Sequence, residues 1–395
     1  MAKRVEGGLS LGGYCDEHFA AVRHAFAENF LEHDEIGGAV AVILNSRVVV
    51  DLYGGHVDAR RTELWQPDTL VDVYSVGKAV LAVLTLILVE RGMVELDAPV
   101  TRYWPEFGAH DKGALTVRGL LAHRAGLPAI RRRLPDDALF DWRVMCDALA
   151  AEAPFWAPGQ AHGYHVNTYG FLVGEVVRRV TGVPVGEAVR RYVAGPIGAA
   201  FAFGVRRAQQ QRIAAVCGPS TMPVVPERWS ELFPPTGDAE RDLMTWHTYF
   251  NPNGLCGAGI VNSPEWRAAE IPSANGHATA RAVAAIYAAF LAGGPQGARW
   301  VGPTLRAEAV TMHSDGADTV IGRHSRFGLG FQLPHPERAI GPNARAFGHY
   351  GYGGSLGFAD PDAGLAFGYL TNHPSTRRWS APRAQRLIDA VYASL

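Results

Sequence analysis

An apolar run in the first quarter of the chain constrains the fold more than any other feature. Residues 76–89 are almost all Ala, Val, Leu and Ile, interrupted only by Gly77, Lys78 and Thr85. The run ends at an Arg-Gly pair at 91–92, which is typical of a helix end. It is too short, and its lysine too central, for a membrane span, which needs about 20 apolar residues. A helix that is apolar on all sides is buried, so we predict a central helix inside a large core.

Composition sets the broad class. The chain has 395 residues, 48% of them apolar, with 37 Lys and Arg against 38 Asp and Glu. That length suffices for one large or two medium domains. A net charge of −1 gives no global attraction to nucleic acid or to an anionic membrane, so neither is expected as a partner. The basic run at 131–133 is interpreted as a solvated loop.

The N-terminus and the cysteines favour a reducing compartment. No apolar region follows the first residues, Met-Ala-Lys-Arg-Val-Glu-Gly-Gly, so we expect no secretory signal and a cytoplasmic protein. Cys15, Cys146, Cys217 and Cys256 are far apart in the sequence, with no paired spacing. We therefore expect no disulfide framework and no cysteine-based zinc site.

The pattern of apolar residues predicts helices in the middle of the chain and strands towards both ends. The predicted helices are 15–32, 76–89, 115–124, 141–152, 169–181, 278–293 and 377–394. The predicted strands are 38–44, 47–53, 326–333, 346–350, 355–360 and 364–371. The simplest architecture is an α+β fold with an antiparallel sheet built from both termini. We expect residues 1–95 and 275–395 to form this sheet domain, residues 96–274 a mostly helical domain, and the active site to lie between them.

The start of the apolar helix carries the first candidate for chemistry. Ser75 and Lys78 are three residues apart, so a helix places both side chains on one face. A serine hydroxyl needs a base to act as a nucleophile, and lysine can serve as one when it is buried, whereas arginine cannot. Only three of the chain's basic residues are lysines, which makes this one notable. The plainer alternative is an N-cap serine followed by a lysine that extends to solvent.

Two further segments are candidates. Residues 163–170 read Gly-Tyr-His-Val-Asn-Thr-Tyr-Gly, and Tyr164 is either a proton relay to a leaving group or an aromatic core residue. Residues 347–355 read Phe-Gly-His-Tyr-Gly-Tyr-Gly-Gly-Ser. Clustered glycines let a substrate approach the backbone closely, and an N–H here could pair with that of Ser75 as an oxyanion hole. The alternative for this segment is a glycine-rich hairpin without a role.

These segments resemble the serine β-lactamase and penicillin-binding-protein superfamily, and most of all its family VIII carboxylesterases, which are similar to class C β-lactamases. The resemblance spans roughly residues 20–390 and implies a β-lactamase/DD-peptidase-like fold. Five motifs occur in the family's order. They are Tyr-Ser-Val-x-Lys at 74–78, Leu-Leu-Ala-His-Arg-Ala-Gly-Leu at 120–127, Tyr-His-x-x-Thr-Tyr-Gly at 164–170, Pro-Ser-Ala-Asn-Gly-His at 272–277 and Gly-His-x-Gly-x-Gly-Gly-Ser-x-Gly at 348–357.

The resemblance implies a role for each position. Ser75 would be the acylated nucleophile, Lys78 its hydrogen-bonded base, and Tyr164 the second proton carrier. The backbone N–H groups of Ser75 and Tyr352 would form the oxyanion hole. The substrate-binding box, Lys-Thr-Gly in the family, would be His349, Tyr350 and Gly351.

Two positions depart from the family pattern. Val166 stands where the lactamases have an asparagine whose side-chain amide holds the acyl amide of a β-lactam. His349 replaces a lysine that would favour a substrate carboxylate, and histidine is only partly charged near neutral pH. Both departures weaken the case for an efficient β-lactamase and favour a neutral ester.

Other motifs would indicate a different kind of active site or a bound metal or cofactor. Gly-Gly-Ser-Leu-Gly at 353–357 matches the nucleophile elbow of α/β-hydrolases, but a strand-like segment follows Ser355 where that motif needs a helix. His162 and His165 lack further ligands at metal spacing, so we expect no metal. No phosphate loop or dinucleotide fingerprint occurs, so no cofactor is expected. Aromatic residues at 229–250 are interpreted equally well as a cleft wall or as core.

The sequence therefore predicts a serine carboxylesterase that acts on a small-molecule ester through an acyl-enzyme. Alternatives on the same scaffold are a β-lactamase, an amidase or peptidase acting on D-amino-acid amides, and an acyltransferase. A non-catalytic penicillin-recognising protein belongs to a different class, and the retained reacting groups argue against it.

Overall fold

The computed structural model describes residues 3–4, 9–218, 234–252, 257, 259–295, 299–336, 340–375 and 382–395. Most strands lie towards the two ends of the chain, and most helices lie between them. The strands are β1 (Lys3–Arg4), β2 (Ser10–Cys15), β3 (Gly37–Leu44), β4 (Arg47–Gly55), β5 (Val71–Tyr74), β6 (Phe201–Ala202), β7 (Gly276–Ala278), β8 (Ser314–Ala317), β9 (His324–Phe327), β10 (Phe347–Tyr350), β11 (Leu356–Asp360) and β12 (Leu365–Thr371). The α-helices are α1 (Ala20–Glu32), α2 (Val76–Glu90), α3 (Val117–Leu121), α4 (Trp142–Ala151), α5 (Thr168–Thr181), α6 (Val185–Val189), α7 (Ala239–Phe250), α8 (Pro264–Ala268), α9 (Ala280–Ala292), α10 (Pro303–Ala309) and α11 (Pro382–Tyr392).

The main sheet is antiparallel and is built from both ends of the chain. Its strand order is β1-β2-β4-β3-β12-β11-β10, so β3 and β12 pair across the centre. In that pairing Leu44 lies opposite Leu365. The β3–β4 hairpin turns at Asn45 and Ser46, both at positive φ, as its two-residue loop requires. The predicted α+β fold with a sheet from both termini is confirmed.

Helix α2 lies in the core, as the apolar run predicts. All its residues from Val76 to Leu88 are buried, and it packs against α5 and β10. The apolar side chains on every face of α2 explain this position, because only a site surrounded by protein removes them all from water. None of the helices in the described part of the chain has the length and apolar character needed to cross a bilayer.

A small second sheet, in the order β5-β7-β6, delivers the chain to the start of α2. All four residues of β5 are buried, and the β5–β7 register shifts between Asp72 and Tyr74. Tyr74 then has φ +48°, which is rare for a residue with a side chain. The chain therefore bends sharply between the strand and the helix, and Ser75 lies at this bend.

Three sequence predictions of secondary structure need correction. The predicted strand 326–333 is wrong beyond residue 327, because the chain turns back at Gly330, whose φ is +81°. The predicted helix 115–124 is a single short turn of helix, α3. The sequence prediction also misses six strands, because each is short and lacks a clear alternating pattern: β1, β2, β5, β6, β7 and β8. The first five residues of the predicted closing helix 377–394 lie outside the described residues.

Candidate active site

Ser75 is the N-cap residue of α2 and lies at the bend after β5. Its side chain is half-buried, and its hydroxyl makes no capping hydrogen bond to the helix. The N-cap interpretation of this serine therefore does not explain its side chain. The hydroxyl is instead engaged by the lysine one turn further along α2.

Lys78 is fully buried and points back towards Ser75. Its Nζ donates a hydrogen bond to the Ser75 Oγ at 3.1 Å and another to the backbone carbonyl of Ser273 at 2.8 Å. The alternative of a lysine that extends to solvent is therefore wrong. The contact with Ser75 follows from helix geometry, because residues three apart share a face, whereas the contact with Ser273 depends on tertiary packing. The pair meets the geometric condition for a hydroxyl activated by a neighbouring amine.

Tyr164 lies beside the Lys78 amine. The Lys78 Nζ is 4.9 Å from the centre of the Tyr164 ring. That ring stacks on Phe327 with an interplanar angle of 5° and a centroid distance of 5.8 Å. The backbone N–H of Tyr164 donates to both carboxylate oxygens of Asp318, each at 3.0 Å. Residues from three distant parts of the sequence therefore converge around one amine.

Two buried, neutral histidines, His123 and His165, lie next to Tyr164. The His123 ring lies 5.1 Å from that of Tyr164, and its Nδ1 accepts the backbone N–H of His165. The His165 Nε2 accepts the N–H of Leu127, so its Nδ1 carries the proton and donates to the Gly163 carbonyl at 2.6 Å. Burial lowers the pKa of His165 to about 4 and that of His123 well below its usual value.

This arrangement predicts sensitivity to acid. A histidine whose folded pKa is about 4 and whose unfolded pKa is 6.5 contributes stability that is complete above pH 6.5. As the pH falls towards 4, His165 withdraws up to about 3 kcal/mol from the free energy of unfolding. Urea unfolding at pH 7 and pH 4.5 measures this loss. In His165→Gln, which does not titrate, the difference between the two pH values should shrink; an unchanged difference would assign the acid lability to other groups.

The third motif ends beside β5. His349 is fully buried, its Nδ1 lies 2.7 Å from the Tyr350 carbonyl, and its ring lies 5.9 Å from that of Tyr164. A methyl group on Gly351 would meet the carbonyl oxygen of Val73 at 2.5 Å, so glycine is required for this approach. Tyr352 is exposed, and its ring contacts that of Tyr74 at 5.4 Å. The motif therefore lies against the same bend that holds Ser75.

Val166 belongs to an apolar wall next to Tyr164. It packs in one buried cluster with Ala129, Met244 and Val320. The neighbouring Asn167 does not replace the missing amide, because it is buried and its Nδ2 donates to the Thr248 carbonyl at 2.9 Å.

The described aromatic residues of the 229–250 region fall into two groups. Tyr249 packs against this apolar wall, whereas Phe250 is buried and contacts Trp246 at 4.6 Å between ring centres. Trp229 and Phe233 lie outside the described residues.

The competing motifs are engaged elsewhere. Ser355 is buried, and strand β11 follows it where a nucleophile elbow requires a helix. The His162 Nε2 lies 3.0 Å from the Ser325 hydroxyl, which itself donates to Asp318. His162 therefore belongs to the network that holds the Tyr164 backbone.

Three residues of the site are missed by the sequence argument. Ser273 uses its carbonyl for Lys78 and its hydroxyl for the N–H of Gly170 at 2.6 Å. Asp318 holds Tyr164, and Asp72 accepts the N–H of Tyr74 at 2.7 Å. Only Ser273 lies in a motif that the sequence singles out. Burial raises the pKa of Asp72 to about 7, although a hydrogen bond from the indole of Trp266 opposes this.

Together, the fold and the serine–lysine–tyrosine cluster define the class of β-lactamase-like proteins. The chain belongs to the Beta-lactamase family, whose model matches residues 20–391. The family resemblance that the five motifs carry is therefore confirmed.

The chain is also similar to particular proteins over most of its length. The chain is 33% identical over 382 residues to the Esterase/beta-lactamase LipL of Mycobacterium tuberculosis. The aligned residues cover 93% of this chain and 84% of that protein. A solved family VIII carboxylesterase is 37% identical with a TM-score of 0.88, over 98% of this chain and 100% of the other. A penicillin-binding protein homologue from Caulobacter crescentus is 37% identical over the same shares, with a TM-score of 0.87.

Proposed function

We propose that the protein is a serine carboxylesterase that hydrolyses small esters through an acyl-enzyme. The observation that carries this proposal is the buried Lys78 amine, 3.1 Å from a hydroxyl at the bend before α2. The similarity to a family VIII carboxylesterase and to an esterase/β-lactamase supports the same reaction.

Acylation begins when the Ser75 Oγ attacks the ester carbonyl. The hydroxyl proton passes to the neutral amine of Lys78, and a tetrahedral oxyanion forms. The backbone N–H groups of Ser75 and Tyr352 stabilise this oxyanion. Tyr164, beside the amine, carries a proton to the leaving alkoxide as the C–O bond breaks, which releases the alcohol.

Deacylation uses the same groups in reverse. A water molecule takes the place of the alcohol and gives a proton to the Tyr164–Lys78 pair as it attacks the acyl carbonyl. The second tetrahedral intermediate collapses, the bond to the Ser75 Oγ breaks, and the hydroxyl regains its proton. The carboxylic acid then leaves.

The apolar wall at Val166 selects an ester over an amide-bearing substrate. A β-lactam presents an acyl amide, which would lie unpaired against this wall. An ester without that amide has no such penalty. Hydrolysis of β-lactams is therefore the second candidate activity, supported by the family and expected to be slow. The motif at 349–351 lines the remaining side of the substrate site.

Turnover of a short-chain p-nitrophenyl ester and of a chromogenic cephalosporin tests this assignment. We expect kcat/KM for the ester to exceed that for the cephalosporin by at least about tenfold, the value of one hydrogen bond to the acyl group. Val166→Asn should narrow this ratio, whereas the control Val166→Ala, which adds no amide, should not. A cephalosporin preference in the parent protein would make it a β-lactamase instead.

We also propose a cytoplasmic location. Cys15, Cys146 and Cys217 are free thiols, and burial raises the pKa of the Cys217 thiol to about 11, which keeps it protonated and unreactive. Unpaired thiols of this kind are usual in a reducing compartment.

A further inference from the structure

The strand that precedes Ser75 contains a carboxylate that the proposed chemistry does not use. Asp72 is 1% exposed and lies three residues before the nucleophile. Its Oδ1 accepts the backbone N–H of Tyr74 at 2.7 Å, and its Oδ2 accepts the indole Nε1–H of Trp266 at 2.8 Å. Two donors from different parts of the chain therefore converge on one buried side chain.

The backbone at this point is strained. Tyr74 has φ +48°, a conformation that is readily available to glycine but unfavourable for a residue with a Cβ. The β5–β7 register shifts at the same place, so the ladder does not hold this residue as it would in a regular strand. Tyr74 is paired with Gly276 beyond this shift, and its N–H donates to Asp72 at 2.7 Å, which stabilises the bend locally.

The Trp266 side of the pair is itself held firmly. Trp266 is fully buried in α8, and its carbonyl accepts the Asn275 side-chain amide at 2.7 Å. Asn275 lies two residues after Ser273, whose carbonyl accepts the Lys78 amine. The segment 272–277 thus supports Lys78 directly and supports the bend through Trp266.

We propose that Asp72 and Trp266 form a positioning pair that holds Tyr74 in its left-handed conformation and so aims the Ser75 hydroxyl at the substrate. A carboxylate is needed because each of its two oxygens accepts from a different donor. An asparagine offers a single acceptor oxygen and would turn its own N–H₂ towards one of the donors. This inference rests on the proposed role of Ser75 as the nucleophile.

Asp72→Asn should lower kcat for a p-nitrophenyl ester by roughly 10- to 100-fold, as expected when a reacting group moves by a fraction of an ångström, while KM stays near the parent value. The decisive measurement is the same substitution in a Tyr74→Gly background. Glycine adopts the bend without strain, so the loss caused by Asp72→Asn should fall to a few-fold there. An equal loss in both backgrounds, or a parental kcat in Asp72→Asn, would overturn the proposal.

Two more variants keep the test decisive if Asp72→Asn does not fold. Trp266→Phe removes only the indole donor and should reduce kcat more than it lowers Tm relative to a matched control. That control is Thr85→Val, which removes a buried hydrogen bond of 2.8 Å to Leu81 within α2, away from Ser75. A kcat in Trp266→Phe no lower than in Thr85→Val at equal Tm would refute the positioning role.

Labelling with a fluorophosphonate distinguishes a failure of this inference from a failure of the proposed function. If the probe does not modify Ser75 in the parent protein, the proposed function fails, and the inference with it. If Ser75 reacts in the parent and reacts equally fast in Asp72→Asn, only the positioning role fails. The expected result is rapid modification of the parent and modification of Asp72→Asn that is slower by the same factor as kcat.

Discussion

Replacement of Ser75 by alanine should abolish ester turnover, with a fall in kcat of at least about 10⁴-fold. The hydroxyl is the group that becomes acylated, and the Lys78 amine that would activate it lies 3.1 Å away. The folded structure should persist, because the Ser75 side chain does not cap the helix. Initial rates with a p-nitrophenyl ester measure the loss, and intact-mass analysis with a slow substrate should detect the acyl adduct only in the parent.

Ser355→Ala is the matched comparison for this experiment. Ser355 lies in the competing Gly-x-Ser-x-Gly motif, and its buried Oγ receives a long hydrogen bond of 3.4 Å from the Thr371 N–H. Its removal should leave ester turnover of the same order as that of the parent. Full activity in Ser75→Ala together with loss in Ser355→Ala would transfer the nucleophile to the glycine-rich turn.

Lys78→Arg should reduce kcat by at least about 10², the loss typical of a missing general base. Arginine keeps the positive charge and can still donate hydrogen bonds, but it does not release its proton under physiological conditions. It can therefore neither take the proton of Ser75 nor return it. Near-parental turnover would show that the amine acts only through its charge.

Lys112→Arg controls for the placement of arginine at a buried lysine. The Lys112 amine is also buried, and it donates to the carbonyls of Ala109, Ala150 and Glu152 at 2.8, 3.0 and 2.6 Å. These contacts are structural, so this variant should lose Tm while its kcat stays close to that of the parent. Comparison of kcat at matched folded fraction then separates a lost base from a disturbed core.

Burial of apolar side chains and the geometry of the helix explain which parts of the site the sequence predicts. The apolar run predicts α2 because its side chains can be buried only inside a core, and the three-residue spacing predicts that Ser75 and Lys78 meet. The five motifs predict that Tyr164 acts with them, and its ring lies 4.9 Å from the lysine amine. The catalytic roles of Ser75, Lys78 and Tyr164 stay predictions, as do the oxyanion role of Tyr352 and the substrate-binding role of His349.

Other parts of the site leave no local signal. Asp318 holds Tyr164 across 154 positions of sequence, and nothing near this aspartate distinguishes it from a solvated loop residue. Asp72 lies in a four-residue strand with no alternating pattern, and its partner Trp266 is 194 positions away. Such contacts depend on how distant segments pack, which residue spacing alone does not encode. The division at residues 95 and 275 also stays a prediction, and one hydrophobic cluster includes residues from both parts.

The strand order of the main sheet has a consequence for biosynthesis. Strand β12 lies in the middle of the sheet between β3 and β11, so the N-terminal hairpin gains this neighbour only after more than 300 further residues have left the ribosome. A nascent chain that already contains the serine and the lysine therefore still exposes the edge of β3 to solvent and to other strands. Polypeptides translated from an mRNA truncated before β12 would be inactive and prone to aggregation.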